Sequence, residues 1–427
     1  MQKATPARGP GLGRNFHRFW LGSLAGNLGD GMMLIALPLA AALITDDPLL
    51  VSGLIASRYL PFLLFGLAAG VIVDRVDRVR LMVAANLVRT GALVALAVGI
   101  ATGHAGLWVL YAVMFIVMTG EVFHDLAGRA LMPDLAPAGT IDRANGRIEG
   151  GRTVTQDFAG GPLAGFLFAI AAFAPIAVNA GAYALGALVL LGLPLAVRRV
   201  PGHEEPGTVR ASPLADLREG FAFVFRGSSL GPILLFNLAL NTAFTALMAV
   251  MVLIAQDHFG VPAALYGVFL GSSAVGALLG ATTVGLLVAR VGRFRLELVL
   301  ISATGLCFLA FGAAPDAYVA MAAWMLLGYV ITSSNIVMLG AIQLIVPGHR
   351  LGRVMSFVQV SGTAFGPVAA LLAGALGRVE LHYVPLASGV LVLVSLALAA
   401  PALRRVVTEA DRIETARIAD GADRHEG

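Results

Sequence analysis

A short arginine-rich segment occurs twice in this chain, as GVIVDRVDRVR at residues 70–80 and as GLLVARVGRFR at residues 285–295. Each copy follows an apolar run that is about as long as a membrane-crossing helix. A pattern that recurs at corresponding places in the two parts of a membrane protein indicates an internally duplicated fold. The sequence therefore predicts two similar halves with one copy of the segment in each.

The composition places most of the chain in lipid. Apolar residues make up 58% of the 427 residues and charged residues only 13%, about half of the charged fraction of a soluble domain. The apolar runs predict an all-α membrane protein with twelve transmembrane helices in two pseudo-symmetric halves of six. The predicted spans are 19–44, 52–73, 80–102, 107–127, 153–173, 175–197, 230–255, 263–289, 296–314, 317–345, 352–376 and 382–402.

The positions of the basic residues predict the orientation. Every second loop contains arginines, whereas the loops between them contain acidic residues and histidines, with Arg378 as their one basic residue. Basic loops remain on the cytoplasmic side, so both termini should be cytoplasmic and the chain should lie in the bacterial inner membrane. The net charge of +4 is then an orientation signal, which argues against a nucleic-acid partner.

The longest polar segment divides the predicted halves. The expected boundaries are 1–197 for the N-terminal half, 198–229 for a cytoplasmic linker, 230–403 for the C-terminal half and 404–427 for a cytoplasmic tail. Apolar residues at helical spacing in the linker (Leu214, Leu217, Phe221 and Val224) predict an amphipathic helix on the membrane surface. The charged tail is expected to be disordered beyond its first turns.

The repeated segment resembles motif A of the major facilitator superfamily, a Gly–Asp–Arg–Gly–Arg framework in the loop between two helices. The resemblance implies that these residues latch the cytoplasmic gate, with close backbone approach at Gly70. Ala289 replaces the acid of the second copy, so the first half should carry most of the latch. Positive-inside orientation alone also explains the arginines. The implied gate residues are Gly70, Asp74, Arg75, Arg78, Arg80, Gly285, Arg290, Gly292 and Arg293.

Further motifs are similar to the branch that contains the enterobactin exporter and the macrolide-efflux proteins. They are GNLGD at 26–30, EVFHD at 121–125, ANGR at 144–147 and GGPLAG at 160–165. Within the last motif, Gly161, Pro162 and Gly165 are also similar to the antiporter motif C. The resemblance implies an exporter driven by protons.

Ionisable residues inside apolar spans are functional candidates because lipid disfavours them. Asp30 and Glu121 lie in the first and fourth spans, which the resemblance places around a central cavity, and both are candidates for proton coupling. The structural alternative is that Glu121 pairs with Arg89 and Asp30 with Arg58. A separate ion pair is expected between Asp125 and Arg129 at the interface.

Uncharged polar residues inside the spans are candidates for contact with a substrate. They are Asn27, Asn237, Asn241, Ser334, Asn335 and Trp324. Hydrogen bonding between helices is the competing explanation. A cavity with so few charges suits an amphipathic cargo better than a sugar or a phosphate.

The sequence as a whole predicts a monomeric secondary transporter that exports a drug, siderophore or natural product in exchange for protons. An uptake symporter of the same fold and a transport-inactive sensor or scaffold remain alternatives. An enzyme is not expected, because the chain has no His-Glu-x-x-His motif and no evident pair of nucleophile and base. No cofactor and no metal are expected.

Overall fold

The computed structural model describes residues 12–73, 75–137, 140–194, 230–346 and 365–426. Every secondary-structure element in these ranges is helical. The helices are α1 (Gly13–Ala42), α2 (Pro48–Val73), α3 (Arg78–Ala101), α4 (Leu107–Leu135), α5 (Ile141–Arg152), α6 (Gly161–Ile170), α7 (Ala174–Leu191), α8 (Leu230–Leu253), α9 (Ala263–Val291), α10 (Arg293–Gly312), α11 (Ala317–Ile345), α12 (Gly366–Gly377) and α13 (Tyr383–Glu426). Two π-helical segments accompany them, Thr153–Gly160 between α5 and α6 and Ile254–His258 after α8.

Ten helical stretches among the described residues are long and apolar enough to cross a membrane. Large apolar side chains such as Leu188, Leu286 and Leu398 are exposed on these helices, which suits lipid and not water. The prediction of a multi-pass helical membrane protein is thereby confirmed, whereas the count of twelve spans remains a prediction. The predicted span 153–173 is divided by a π-helical segment, and the first part of 352–376 lies outside the described residues.

The chain forms two compact units. The first unit comprises residues 1–40 and 60–207, and the second comprises residues 41–59 and 208–427, so that α2 contributes to both. In the first unit α3 packs against α4 and α7, and in the second α10 packs against α11 and α13. The predicted linker at 198–229 and its amphipathic helix lie outside the described residues.

Short polar residues fix where several helices begin. The side chain of Asp77 accepts a hydrogen bond from the backbone N–H of Arg80 and so caps α3, and Asp316 caps α11 in the same way. Such caps satisfy backbone donors that a helix start leaves free. Between α9 and α10 the single residue Gly292 has φ +83°, a conformation that favours glycine. This conformation explains why position 292 of the second arginine-rich segment is a glycine.

The C-terminal tail differs from its prediction. Instead of becoming disordered beyond the first turns of the tail, the chain continues α13 without a break to Glu426, which makes a helix of 44 residues. The tail is rich in Ala, Glu and Arg, which favour helix, and Arg412 pairs with Glu409 one turn away at 3.9 Å. Helix propensity therefore outweighs the high charge on which the prediction of disorder rested.

An ion pair in the second unit explains the exception to the charge pattern. Arg378 donates to both carboxylate oxygens of Asp47, at 2.8 and 2.5 Å, and this hydrogen bonding lowers the pKa of Asp47. Asp47 also caps α2 by accepting from the backbone N–H of Leu49. The one arginine in the predicted outer loops thus ties the start of α2 to the end of α12.

Candidate proton and substrate site

The charged residues of the first unit converge on one guanidinium group. Arg89 of α3 donates from Nη2 to Oδ1 of Asp30 on α1 and to the hydroxyl oxygen of Tyr183 on α7, both at 2.7 Å. The same nitrogen contacts Oε2 of Glu121 on α4, and the hydroxyl of Tyr183 donates to Asp30. We call these four residues the Arg89 cluster. It joins four helices of the first unit.

Burial differs between the two acids of the Arg89 cluster. Arg89 is 1% exposed and Asp30 is 9% exposed, whereas the Glu121 side chain is 22% exposed. Two carboxyl groups therefore share one guanidinium, one of them in a nearly dry place and the other in contact with a wetter one. Because an uncompensated buried charge is costly, Arg89 stabilises both carboxylates.

Arg89 Nη2 cannot satisfy all its neighbours at once. The nitrogen carries two hydrogens, yet three oxygens lie around it, those of Asp30, Glu121 and Tyr183. A change in the charge of either carboxyl group would therefore redistribute the hydrogen bonds that Arg89 makes with the other carboxyl group and with Tyr183.

Glycines make room for the Arg89 cluster. A Cβ atom at Gly120, the residue before Glu121, would lie 2.7 Å from Cγ of Arg89. Next to Asp30, a Cβ atom at Gly31 would overlap the backbone of Gln156, and one at Gly160 would lie 2.7 Å from Cα of Gly31. The helix α1 thus crosses the first π-helical segment with the two backbones in contact, at the level of Asp30.

Replacing Gly120 with alanine should displace the Arg89 side chain, because the added methyl group overlaps its Cγ and Cδ atoms. We expect a loss of about 1–3 kcal/mol in the free energy of unfolding, as for other overpacked sites, together with reduced transport. Gly91→Ala is the matched control, since a Cβ atom there meets nothing within 4 Å. Equal melting temperatures for the two variants in detergent would contradict the steric role of Gly120.

The Arg89 cluster lies at the wall of a cavity in the first unit. The cavity has a volume of about 760 Å³ and is lined by α1, α3, α4, α5 and α7. Its polar lining consists of Ser23, Asn27, Asp30, Asn86, Arg89, Glu121, His124, Asp125, Arg129, Asn145, Glu149 and Arg152. Apolar side chains such as Phe19, Met132 and Leu190 complete the wall. The volume is that of a pocket for a drug-sized molecule.

The fold agrees with the results of comparison with known proteins. The family described as "Transmembrane secretion effector", MFS_3, matches residues 9–421. The chain belongs to this family of major facilitator transporters. Macrolide efflux protein A of Streptococcus pyogenes is 24% identical over 291 residues, which are 68% of this chain and 69% of that protein.

Solved structures of transporters have the same fold. A bacterial homologue of the iron transporter ferroportin in its inward-facing state superimposes with a TM-score of 0.71, at 16% identity, over 91% of this chain and 98% of the other. The nucleoside transporter NupG, as its D323A mutant, gives a TM-score of 0.67 at 14% identity, over 94% of this chain and 100% of the other. The resemblance to the major facilitator superfamily and to macrolide-efflux proteins in the sequence is thereby confirmed.

The pairing of charges differs in one respect from the structural alternative drawn from the sequence. Arg89 contacts Glu121 as that alternative supposed, but it also contacts Asp30, which was expected to pair with Arg58. Asp125 and Arg129 lie 3.5 Å apart with about half or more of each side chain exposed, so their pair is worth little. Both line the cavity.

Three of the polar candidates of the second unit form hydrogen bonds within that unit through their side chains, and Asn237 accepts one of these bonds. Asn241 donates its side-chain amide to Asn237 one turn earlier, at 3.1 Å, and both are half-buried. Trp324 is 2% exposed and donates to the carbonyl of Leu270 at 2.9 Å. Its ring therefore packs against protein in this conformation, and its contact with cargo remains a prediction.

The neighbours Ser334 and Asn335 lie on different sides of α11. Ser334 is buried and donates to Glu297 at 2.6 Å, whereas Asn335 is exposed. Glu297 is a buried acid that the sequence analysis missed. The predicted span that contains Glu297 began at residue 296, which placed Glu297 at the edge of the membrane. In the structure Glu297 is 1% exposed. Tyr183 was missed because a tyrosine in a membrane span carries no signal of its own.

The first copy of the gate motif is partly engaged in contacts between helices. Arg78 donates to the backbone carbonyl of Ala130 at 2.9 Å and lies 3.4 Å from Asp134, which ties the start of α3 to the end of α4. Asp74 lies outside the described residues. The expected close approach at Gly70 is wrong for this conformation, because a Cβ atom there would meet nothing within 4 Å.

The remaining motif residues lie at helix ends on the protein surface. Arg75, Arg80, Gly285, Arg290 and Gly292 are exposed. Arg293 is half-buried at the first position of α10. These positions suit residues that orient the chain in a membrane, and their role in a gate remains a prediction.

The glycine–proline motif of the fifth span coincides with a change of helix type. Gly161 and Pro162 begin α6 directly after the π-helical segment, and Gly165 is buried three residues later. Proline lacks the N–H group that a regular helix would use, and local π-helical adjustment is one way in which a membrane helix re-satisfies the backbone groups that proline frees. The close approach to α1 uses Gly160, next to the motif.

Proposed function

We propose that this transporter exports an amphipathic small molecule in exchange for protons by alternating access, and that the Arg89 cluster is its proton site. The observation that carries the proposal is that two carboxyl groups share one buried guanidinium at the wall of a cavity. Intramembrane carboxyl groups of this kind are typical of proton pathways in transporters.

The net charge of the Arg89 cluster favours the binding of one proton. With both Asp30 and Glu121 ionised, Arg89 neutralises only one of them, and a single proton on either acid brings the group to neutrality. A nearly dry site favours the neutral group. Because Nη2 has fewer hydrogens than neighbouring oxygens, protonation of Asp30 would let Arg89 turn to Glu121 and Tyr183 alone. The proton would thereby change the contacts between α1, α3 and α4.

The cavity suits a cargo that is partly apolar and also carries polar groups. Seven of its lining side chains are charged, so the expectation of a cavity with few charges is wrong. Its volume of about 760 Å³ lies in the range of pockets for drug-sized molecules, and its wall combines carboxylates with Phe19, Met132 and Leu190. A cargo with a positively charged group could bind the partly exposed Glu121, neutralise the Arg89 cluster in place of the proton and so release that proton. Export is supported by the family's description and by the macrolide efflux protein among the relatives.

The same proposal includes the placement of the chain. Both termini are on the cytoplasmic side of the inner membrane, as the alternation of basic loops predicts, and one chain is sufficient for transport. The cytoplasmic latch is asymmetric, since the first motif copy contacts α4 through Arg78 and the second has Ala289 in place of its acid.

Accumulation of erythromycin and of ethidium in cells tests this proposal. Cells that express the protein should accumulate less of at least one compound than cells with an empty vector, and a protonophore should remove the difference. Greater accumulation in expressing cells would indicate uptake, and a difference that survives the protonophore would indicate another energy source.

A further inference from the structure

A second buried acid lies in the second unit, away from the Arg89 cluster. Glu297 is the fifth residue of α10 and is 1% exposed. Its Oε1 atom accepts a hydrogen bond from the hydroxyl of Ser334 on α11 at 2.6 Å. Its Oε2 atom is buried and has no hydrogen-bond partner among the residues that the structure describes. A carboxyl group is therefore removed from water with one hydroxyl group as its polar contact.

The helices packed against α10 offer Glu297 no opposite charge among the residues that the structure describes. α11 carries no Asp, Glu, Lys, Arg or His, and the hydroxyl of Tyr329 on α11 is engaged with Thr283. On α9, Arg290 is exposed, and Tyr266 lies near the other end of the helix. On α13, Tyr383 begins the helix, Arg404 and Arg405 are exposed, and Glu409 is also exposed.

The charged neighbours on α10 itself are Arg293 and Arg295. Arg295 is exposed, and Arg293 is half-buried with an interaction of its own. Within the described residues neither forms an ion pair with Glu297. An ionised carboxylate would here lose its hydration and gain one hydrogen bond, which is unfavourable, whereas a neutral carboxylic acid loses far less. The unpartnered Oε2 atom is the position that a proton would take.

We propose that Glu297, held by Ser334, is a second proton site of the transporter, protonated in this conformation and located in the unit that lacks the Arg89 cluster. Each unit would then carry one proton-binding group. The role in transport rests on the proposed function, whereas the bound proton itself does not. Its release requires that α10 and α11 separate enough to let water reach Glu297.

Infrared spectroscopy of the purified protein at neutral pH tests whether the proton is present. The difference spectrum between wild type and Glu297→Gln should contain the C=O stretching band of one protonated carboxyl group, and this band should shift in D₂O. Ser334→Ala should move the band, because the hydrogen bond to Oε1 is removed. Glu380→Gln is the matched control: Glu380 is half exposed and its replacement should remove no such band. Absence of the band from wild type would overturn the proposal.

Thermal melting distinguishes a neutral acid from a hidden ion pair. Glutamine resembles the protonated acid in the folded state, whereas the wild-type glutamate ionises in the unfolded chain above about pH 4.3. Glu297→Gln should therefore melt at about the wild-type temperature below that pH and above the wild-type temperature at neutral and alkaline pH. A lower melting temperature for the variant at neutral pH would mean that Glu297 is charged and paired, and would overturn the proposal.

Transport in proteoliposomes tests the coupling. With a pH gradient and erythromycin or ethidium as the probe, whichever the protein transports, Glu297→Gln should accumulate several-fold less than Glu380→Gln. Accumulation equal to that of the control would overturn the role in coupling. Because the infrared band of Glu297 should persist in Asp30→Asn, failure of the Arg89 cluster as a proton site and failure of Glu297 give different results.

Discussion

Replacing Arg89 with glutamine is expected to cause the largest loss of stability of any single change in the first unit. The substitution leaves Asp30 and Glu121 close together without their common cation, and breaking a buried ion pair in this way costs about 3–5 kcal/mol. Tyr183 also loses the guanidinium that lies 3.8 Å above its ring. The measurement is thermal melting of the purified protein in detergent at neutral pH.

Two further variants give this prediction its controls. Arg80→Gln makes the same chemical change at a side chain that is 82% exposed, and we expect its effect on stability to be within about 0.5 kcal/mol. The triple change Asp30→Asn/Arg89→Gln/Glu121→Gln removes the charges together and should recover much of the lost stability. If the triple variant melts no higher than Arg89→Gln alone, the loss comes from packing and not from stranded carboxylates.

Replacing Asp30 with asparagine should abolish proton-driven transport while the protein still folds. The amide oxygen can accept hydrogen bonds from Arg89 and Tyr183 in place of Oδ1, and Arg89 keeps Glu121 as its counter-ion. What is lost is a group that can bind and release a proton in the buried part of the cluster. We expect normal insertion, a melting temperature near that of wild type, and no accumulation driven by a pH gradient.

Exchange of labelled for unlabelled probe without a gradient separates this outcome from general inactivation. A variant that has lost only proton coupling should still exchange erythromycin or ethidium, whichever the wild type transports. Glu121→Gln should have a smaller effect on gradient-driven transport, because Glu121 is more exposed than Asp30. Wild-type gradient-driven transport in Asp30→Asn would rule out Asp30 as the proton carrier.

The members of the Arg89 cluster illustrate how far the sequence alone could lead. Asp30, Arg89 and Glu121 stand out because each is an ionisable residue inside an apolar span. Their joint pairing could not be derived, because the rotation of each helix about its axis depends on packing between helices. The structural alternative paired Arg89 with Glu121 alone, whereas in the structure Arg89 also pairs with Asp30.

The glycines also show that the sequence alone does not predict where helices approach each other closely. Gly70 was expected to allow a close approach and has open space around it, while Gly31, Gly120 and Gly160 make close approaches that no pattern singled out. The π-helical segment before Pro162 was not predicted from the sequence. The helix α5, which precedes this segment and begins at Ile141, was not predicted either. Apolar runs predict where helices cross a membrane; they do not report local changes of helix type or crossing points.

The direction of proton-linked transport in proteoliposomes tests the central claim most directly. Erythromycin and ethidium are presented to vesicles with either an acidic or an alkaline lumen, and empty liposomes together with Asp30→Asn correct for passive trapping of a weak base. Exchange for protons predicts that wild type accumulates one of these probes above both controls only when the lumen is acidic. Accumulation above the controls only when the external medium is acidic, or to the same extent with either gradient, would contradict proton-driven export through the Arg89 cluster.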